Sequence, residues 1–132
     1  MYNFTLLITE DISSNYTYLE SAIGRNFNKV LHANNGLEAV EFCRSDSGIG
    51  LVLMDISMPE MNGFEATKII RSIRPDLVVL ALTAYIVDDL EEKLFQAGCS
   101  GYLLKPFLYK DLMAEIALHL DVSHEMPNTL CL

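Results

Sequence analysis

The sequence predicts an α/β fold: a parallel sheet with helices on both faces. Three observations predict it. Short apolar stretches run without polar alternation, as strands covered on both faces require. Between them lie stretches whose apolar residues recur at helical spacing. The two kinds alternate five times over 132 residues, a length that suits one domain with a proper core. Such alternation implies right-handed crossovers between parallel strands.

The first strand is Phe4-Thr5-Leu6-Leu7-Ile8-Thr9, with Glu10-Asp11 directly at its end. Ser13 or Ser14 can then cap a helix reaching about Arg25, with Tyr16, Leu19, Ala22 and Ile23 inward. Lys29-Val30-Leu31-His32-Ala33 is a second strand and Asn34-Asn35-Gly36 a turn. In the second helix Leu37, Ala39, Val40 and Cys43 are the apolar positions, and Asp46-Ser47-Gly48 stops it. The third strand, Leu51-Val52-Leu53-Met54, runs straight into Asp55. Phe64, Thr67, Ile70 and Ile73 recur at helical spacing, and Arg74-Pro75-Asp76 ends that third helix. Leu77-Val78-Val79-Leu80-Ala81-Leu82 is a fourth strand ending at Thr83-Ala84. A fourth helix is expected over 87–97, with an acidic face of Asp88, Asp89, Glu91 and Glu92 and Gly98 as its C-cap. Gly101-Tyr102-Leu103-Leu104 is a fifth strand ending at Lys105-Pro106. The last helix is expected over 108–120, with Leu112, Ile116 and Leu120 on one face. No internal repeat or interdomain linker is visible, and 122–132 reads as a flexible tail or linker remnant.

With 51% hydrophobic residues the chain is built to fold rather than stay disordered. No apolar run is long enough to cross a bilayer, and Met1-Tyr2-Asn3-Phe4 has no basic region of the signal-peptide kind. A net charge of −9 argues against a nucleic-acid surface, which needs Lys and Arg to neutralise phosphates, and leaves room for a cation site or a basic partner. Cys43, Cys99 and Cys131 share no metal-ligand spacing; Cys43 and Cys99 read as small core residues in a reducing compartment.

In an open α/β sheet, ligands bind at the carboxyl ends of the strands. Glu10 and Asp11, Asp55, Thr83 and Lys105 all collect at that edge. Any one of them is explained by wet loops; their joint occurrence is not. Three carboxylates close together repel, and a bound divalent cation reverses that. Carboxylates suit the hard ion Mg2+, which phosphate oxygens complete. A carboxylate is also a nucleophile that forms an aspartyl phosphate. Lys105 can neutralise one phosphoryl oxygen and the Thr83 hydroxyl can donate to another.

The segment Asp55-Ile56-Ser57-Met58-Pro59-Glu60-Met61-Asn62-Gly63 matches a D-x-x-M-P-x-x-x-G motif, and Glu10-Asp11, Leu82-Thr83-Ala84 and 97–106 match its companions. On these residues the chain resembles the receiver domain of two-component response regulators, over about 4–120. The resemblance implies a flavodoxin-like (βα)5 doubly wound sheet in strand order 2-1-3-4-5, with the receiver occupying 1–121. It implies that Asp55 is the phosphoacceptor. Asp11 and Asp55 would be the carboxylate ligands of Mg2+, with Glu10 acting through a water and the Ser57 backbone carbonyl as a further ligand. Thr83 and Lys105 would hold phosphoryl oxygens, and Ala84 would leave access to them. Tyr102 resembles the aromatic switch that turns inward as Thr83 moves; an ordinary core-edge tyrosine is the alternative. Ser57 and Tyr85 occupy the positions that tune phosphate lifetime, and Lys105-Pro106 is expected to be cis. Ile12 departs from the family, where many relatives carry Asn, while Asn15 matches. Residues 62–68 follow a variant common in receivers of hybrid histidine kinases.

The implied function is acceptance of a phosphoryl group from a histidine kinase or histidine phosphotransfer domain, followed by a conformational signal. A homodimer through the fourth-helix, fifth-strand and fifth-helix face is an expectation, as are no direct nucleic-acid or membrane contact and a cytoplasmic location, including the cytoplasmic part of a membrane-bound hybrid kinase. The tail favours an excised domain over a stand-alone regulator. An aspartate-nucleophile hydrolase needs a second Asp two residues on, where Ser57 stands. A flavin binder needs a phosphate loop where Glu10-Asp11 would repel phosphate. A pseudo-receiver would not keep the full set of site residues.

Overall fold

In the computed structural model the described residues are 2–56, 61–84 and 88–130, with side chains described through Leu120. Strands β1 (Tyr2–Thr9), β2 (Phe27–Ala33), β3 (Ile49–Asp55), β4 (Val78–Thr83) and β5 (Gly101–Leu104) alternate with helices α1 (Ser13–Ile23), α2 (Gly36–Ser45), α3 (Gly63–Ile73), α4 (Leu90–Ala97) and α5 (Tyr109–Leu130). All five strands are parallel, in the order β2-β1-β3-β4-β5, which is the expected flavodoxin-like topology.

The uninterrupted apolar strands divide their side chains between two cores. Leu6, Ile8, Leu51 and Leu53 pack with Leu19 and Ile23 of α1 and with Leu112, Ile116 and Leu120 of α5. Leu7, Val52 and Met54 pack with Val40 of α2, Ile70 of α3 and Leu94 of α4. Helices on both faces explain why these strands show no alternation. Leu51, Val52, Leu53 and Met54 of β3 have no exposed surface.

Three local expectations are corrected. No serine caps α1: Ile12 is the N-cap residue without a side-chain bond, and its N–H donates to the Glu10 carboxylate at 3.2 Å instead. That helix also ends earlier, at Ile23, and β2 starts at Phe27, whose ring packs against Tyr2 and Phe4. Leu37, one of the apolar positions of α2, is half exposed. The reason is Gly36, the first residue of α2, which opens the buried series Gly36, Ala39, Val40, Cys43. A Cβ on Gly36 would come within 2.5 Å of the Met61 carbonyl oxygen, so the missing side chain lets α2 close onto α3 and turns Leu37 outward. Finally, α4 starts at Leu90. Asp89 precedes it in a left-handed conformation with φ 66°, so Asp88 and Asp89 stand before the helix, while Glu91 and Glu92 fill its first turn. Carboxylates there complement the helix dipole.

Gly98 caps α4 as expected, with φ 97° and its N–H shared between the Leu94 and Phe95 carbonyls. The Arg71 guanidinium of α3 donates to the Gly98 carbonyl at 2.6 and 3.0 Å, tying the ends of the two helices together. The stripe Leu112, Ile116, Leu120 is buried on α5 as expected. The α5 backbone continues to Leu130, so no helix end marks a boundary at 121. Cys43 is buried and both it and Cys99 are free thiols. Burial pushes the Cys43 thiol up to about 11, as befits a core residue.

Candidate functional site

Parallel pairing brings the strand ends into one row. Thr9 of β1 pairs with Met54 and Ala33, Asp55 pairs with Leu82, and Thr83 pairs with Leu104. Glu10, Asp55, Thr83 and Lys105 therefore sit along one edge, over β1, β3, β4 and β5.

Glu10 is buried although it is ionisable, so each of its polar groups must be matched. Its N–H donates to the Ala33 carbonyl at 3.0 Å. Its carboxylate accepts from the Ile12 N–H at 3.2 Å and from Lys105 Nζ at 3.3 Å. Asp11, next in the chain, is exposed. Asp55 is 6% exposed, and its Oδ2 lies 3.5 Å from Lys105 Nζ. Glu10, Asp11 and Asp55 can each present a carboxylate oxygen such that the three lie within 4.8 Å of one another. Among the described residues, Lys105 thus meets two of the three clustered carboxylates, an arrangement that favours a further cation.

The backbone around Asp55 is fixed by close approach. The Ile56 N–H donates to the Leu82 carbonyl at 3.1 Å, and Gly63 N–H donates to the Ile56 carbonyl at 2.9 Å. A Cβ on Gly63 would lie 2.7 Å from both the Asp55 carbonyl oxygen and the Ile56 Cα. Glycine at this position thus allows the start of α3 to press against the end of β3. Asn62 caps that helix by accepting from the Glu65 N–H at 3.0 Å.

Thr83 is 1% exposed, and its carbonyl accepts the Lys105 N–H at 2.8 Å, which sets β5's end beside β4's. The Lys105–Pro106 bond is cis, as expected. Ala84, small and exposed, follows Thr83 at the rim. Tyr102 on β5 donates its hydroxyl to Glu91 of α4 at 3.0 Å, and that hydrogen bond holds the phenol above its ordinary range. Ser57 and Tyr85 lie outside the described residues.

A cleft of about 310 Å³ opens beside Glu10 and Lys105 and is lined further by Asn15, Tyr18, Leu19, Pro106 and Phe107. Sequence reasoning gave no role to His32, whose Nε2 lies 2.8 Å from the Glu10 carbonyl oxygen. The signal available was its place at the end of β2, the one strand to which no site residue was given.

Comparison with known proteins agrees with this geometry. The response regulator receiver domain family matches residues 6–117. The transcriptional regulatory protein ZraR of Klebsiella oxytoca is 35% identical over 127 residues, covering 94% of this chain and 28% of that protein. This chain therefore spans less than a third of ZraR. The polar-differentiation response regulator DivK of Brucella anthropi is 33% identical over 105 residues, covering 77% of this chain and 84% of DivK. The receiver domain of a sensor histidine kinase from Pseudomonas aeruginosa PAO1, solved with a magnesium ion coordinated in its active site cleft, superimposes with a TM-score of 0.78 at 28% identity, covering 87% of this chain and 95% of that one. Sequence match, strand order and the cluster of acidic and basic strand ends agree, and the chain belongs to the response regulator receiver domain family of two-component systems.

Proposed function

We propose that this domain accepts a phosphoryl group on Asp55 from the phosphohistidine of a histidine kinase or histidine phosphotransfer domain. The observation that carries the reading is Lys105 Nζ, 3.3 Å from Glu10 and 3.5 Å from Asp55, beside the three-carboxylate cluster. An Asp55 oxygen attacks phosphorus; an O–P bond forms as the P–N bond breaks. The ring nitrogen keeps the bonding pair and leaves as neutral imidazole, its other nitrogen carrying a proton. Lys105 neutralises one phosphoryl oxygen, and the Thr83 hydroxyl donates to another.

The donor set fits Mg2+: hard carboxylate oxygens, within 4.8 Å, partly open to water at Asp11. Asp11 and Asp55 would hold the ion directly and Glu10 through a water, with the Ser57 carbonyl as a further ligand. When bound, Mg2+ supplies the positive charge that offsets the phosphoryl oxygens. The magnesium in the cleft of the Pseudomonas relative supports this assignment.

The cleft beside Asn15, with Ile12 exposed just before α1 and Tyr18 exposed on it, offers a donor domain an apolar rim next to the acceptor. On the output side, the Tyr102–Glu91 bond links β5 to α4, which supports Tyr102 and Thr83 as the switch pair. Phe95 on α4 is 81% exposed and Leu118 on α5 57% exposed, which supports homodimerisation through the α4-β5-α5 face. No helix among the described residues is long and apolar enough to cross a membrane. The receiver would span 1–121 and work in the cytoplasm. The domain is a stoichiometric acceptor rather than an enzyme with turnover of its own.

The experiment is intact-mass analysis after incubation with acetyl phosphate and Mg2+. One added phosphoryl group is expected on the wild type and none on Asp55→Asn. An unmodified wild type, or an equally modified Asp55→Asn, overturns the reading; continuous phosphate release would favour a hydrolase.

A further inference from the structure

We infer that His32, at the end of β2, is a positioning residue for the acidic pair Glu10-Asp11, an inference that rests on the metal-site reading above. Its Nε2 lies 2.8 Å from the Glu10 backbone carbonyl oxygen. A carbonyl oxygen only accepts, so Nε2 carries the proton and donates. The imidazole lies flat against Tyr16 of α1, with ring centroids 3.7 Å apart and planes 8° apart. Tyr16 is itself held, its hydroxyl donating to Glu20 at 3.2 Å. The donor is therefore gripped between an edge strand and a helix.

The Glu10 carbonyl shares one rigid peptide plane with the Asp11 nitrogen. Fixing that oxygen fixes the direction in which the chain enters Asp11. The residue after His32 holds the other side of Glu10, because the Ala33 carbonyl accepts the Glu10 N–H at 3.0 Å. The two groups together clamp Glu10 from β2. Asp11 is exposed, so its placement depends on this backbone more than on packing. Groups that orient metal ligands from behind commonly change affinity when removed, because the ligands must then be ordered at the moment of binding.

The test is Mg2+ titration of the whole chain, followed by the amide NMR signals of Asp11 and Ile12 and by calorimetry, with urea unfolding in EDTA run alongside. Three variants separate donor from ring. His32→Phe keeps the stacking face and loses the donor. His32→Asn loses it too, because its amide stops short of the Nε2 position. His32→Gln can reach with an N–H. Loss of one hydrogen bond predicts a Kd about fivefold weaker for the Phe and Asn variants, that is ~1 kcal/mol at 1.4 kcal/mol per tenfold. The Gln variant should stay within about twofold of wild type. A merely structural role would weaken binding in proportion to lost urea stability, with Gln no better than Asn. That outcome, or unchanged affinity in both Phe and Asn variants, overturns the inference. A wild type that binds no Mg2+ instead removes the metal-site reading on which it rests.

Discussion

Replacing Asp55 by asparagine removes one charge from the acidic cluster while keeping the shape of the side chain. In the metal-free protein each neighbouring carboxylate, within 4.8 Å, repels Asp55 by about 3.5 kcal/mol or more at an effective dielectric of ~20. Lys105, 3.5 Å away, attracts it by about 4.7 kcal/mol on the same scale. Losing the charge relieves two repulsions and forfeits one attraction, a net gain of about 2 kcal/mol. Solvent around the exposed Asp11 screens its share and reduces the gain to roughly 1 kcal/mol. A domain of this size then unfolds about 3–6 °C higher. The assay is thermal and urea unfolding in EDTA, repeated in Mg2+. Mg2+ at a hundred times its Kd should stabilise the wild type by ~2.7 kcal/mol, and the variant, one ligand short, by less. If Asp55→Asn unfolds more easily than the wild type in EDTA, the electrostatic reasoning is refuted.

The other predictions concern the neighbours of that group. Asp11→Ala removes a ligand charge and should weaken Mg2+ binding roughly tenfold or more by calorimetry while leaving the unfolding midpoint in EDTA within about 1 kcal/mol of wild type. Lys105→Ala should keep the fold but uncouple modification from switching; an unchanged ratio of active to inactive conformer in the phosphorylated variant, judged by NMR, would count against it. The Cys43 thiol, raised from its ordinary 9.0 to about 11 by burial, should react with a thiol reagent more slowly in the native chain than in urea. Because folding disfavours its thiolate, its contribution to stability is fully present below pH 9 and is lost as the pH rises toward about 11. The same pH dependence of stability from pH 8 to 11 in Cys43→Ala as in the wild type would sink that assignment.

Strands β1, β3 and β4 were legible because each holds an unbroken apolar run, and a sheet covered on both faces demands such runs. The strand order came with the family resemblance; the site followed once the polar residues at the strand ends were read together, and Glu10, Asp55, Thr83 and Lys105 do converge. Contacts across the chain were not legible. Leu37 is as apolar as its buried neighbours on α2, yet the close approach permitted at Gly36 decides which face of that helix is buried. Ser13 and Ser14 read as caps, yet the Glu10 carboxylate, fixed by the site, takes the Ile12 N–H. Asp88 and Asp89 read as helical, yet Asp89 adopts the left-handed conformation that a short polar side chain tolerates. The place of His32 at the end of β2 did not reveal its partner, a backbone carbonyl 22 residues away. The roles expected of Ser57 and Tyr85 lie outside the described residues.

The central claim is that Asp55 receives the phosphoryl group, and the direct measurement is where that group resides. The chain should be treated with a phosphohistidine-bearing phosphotransfer domain and Mg2+, digested, and the modified peptide sequenced by mass spectrometry. The account predicts one phosphoryl group, on Asp55, absent when EDTA replaces Mg2+ and absent from Asp55→Asn. A phosphoryl group on any other residue, or on Asp55 to the same extent in EDTA, would contradict it.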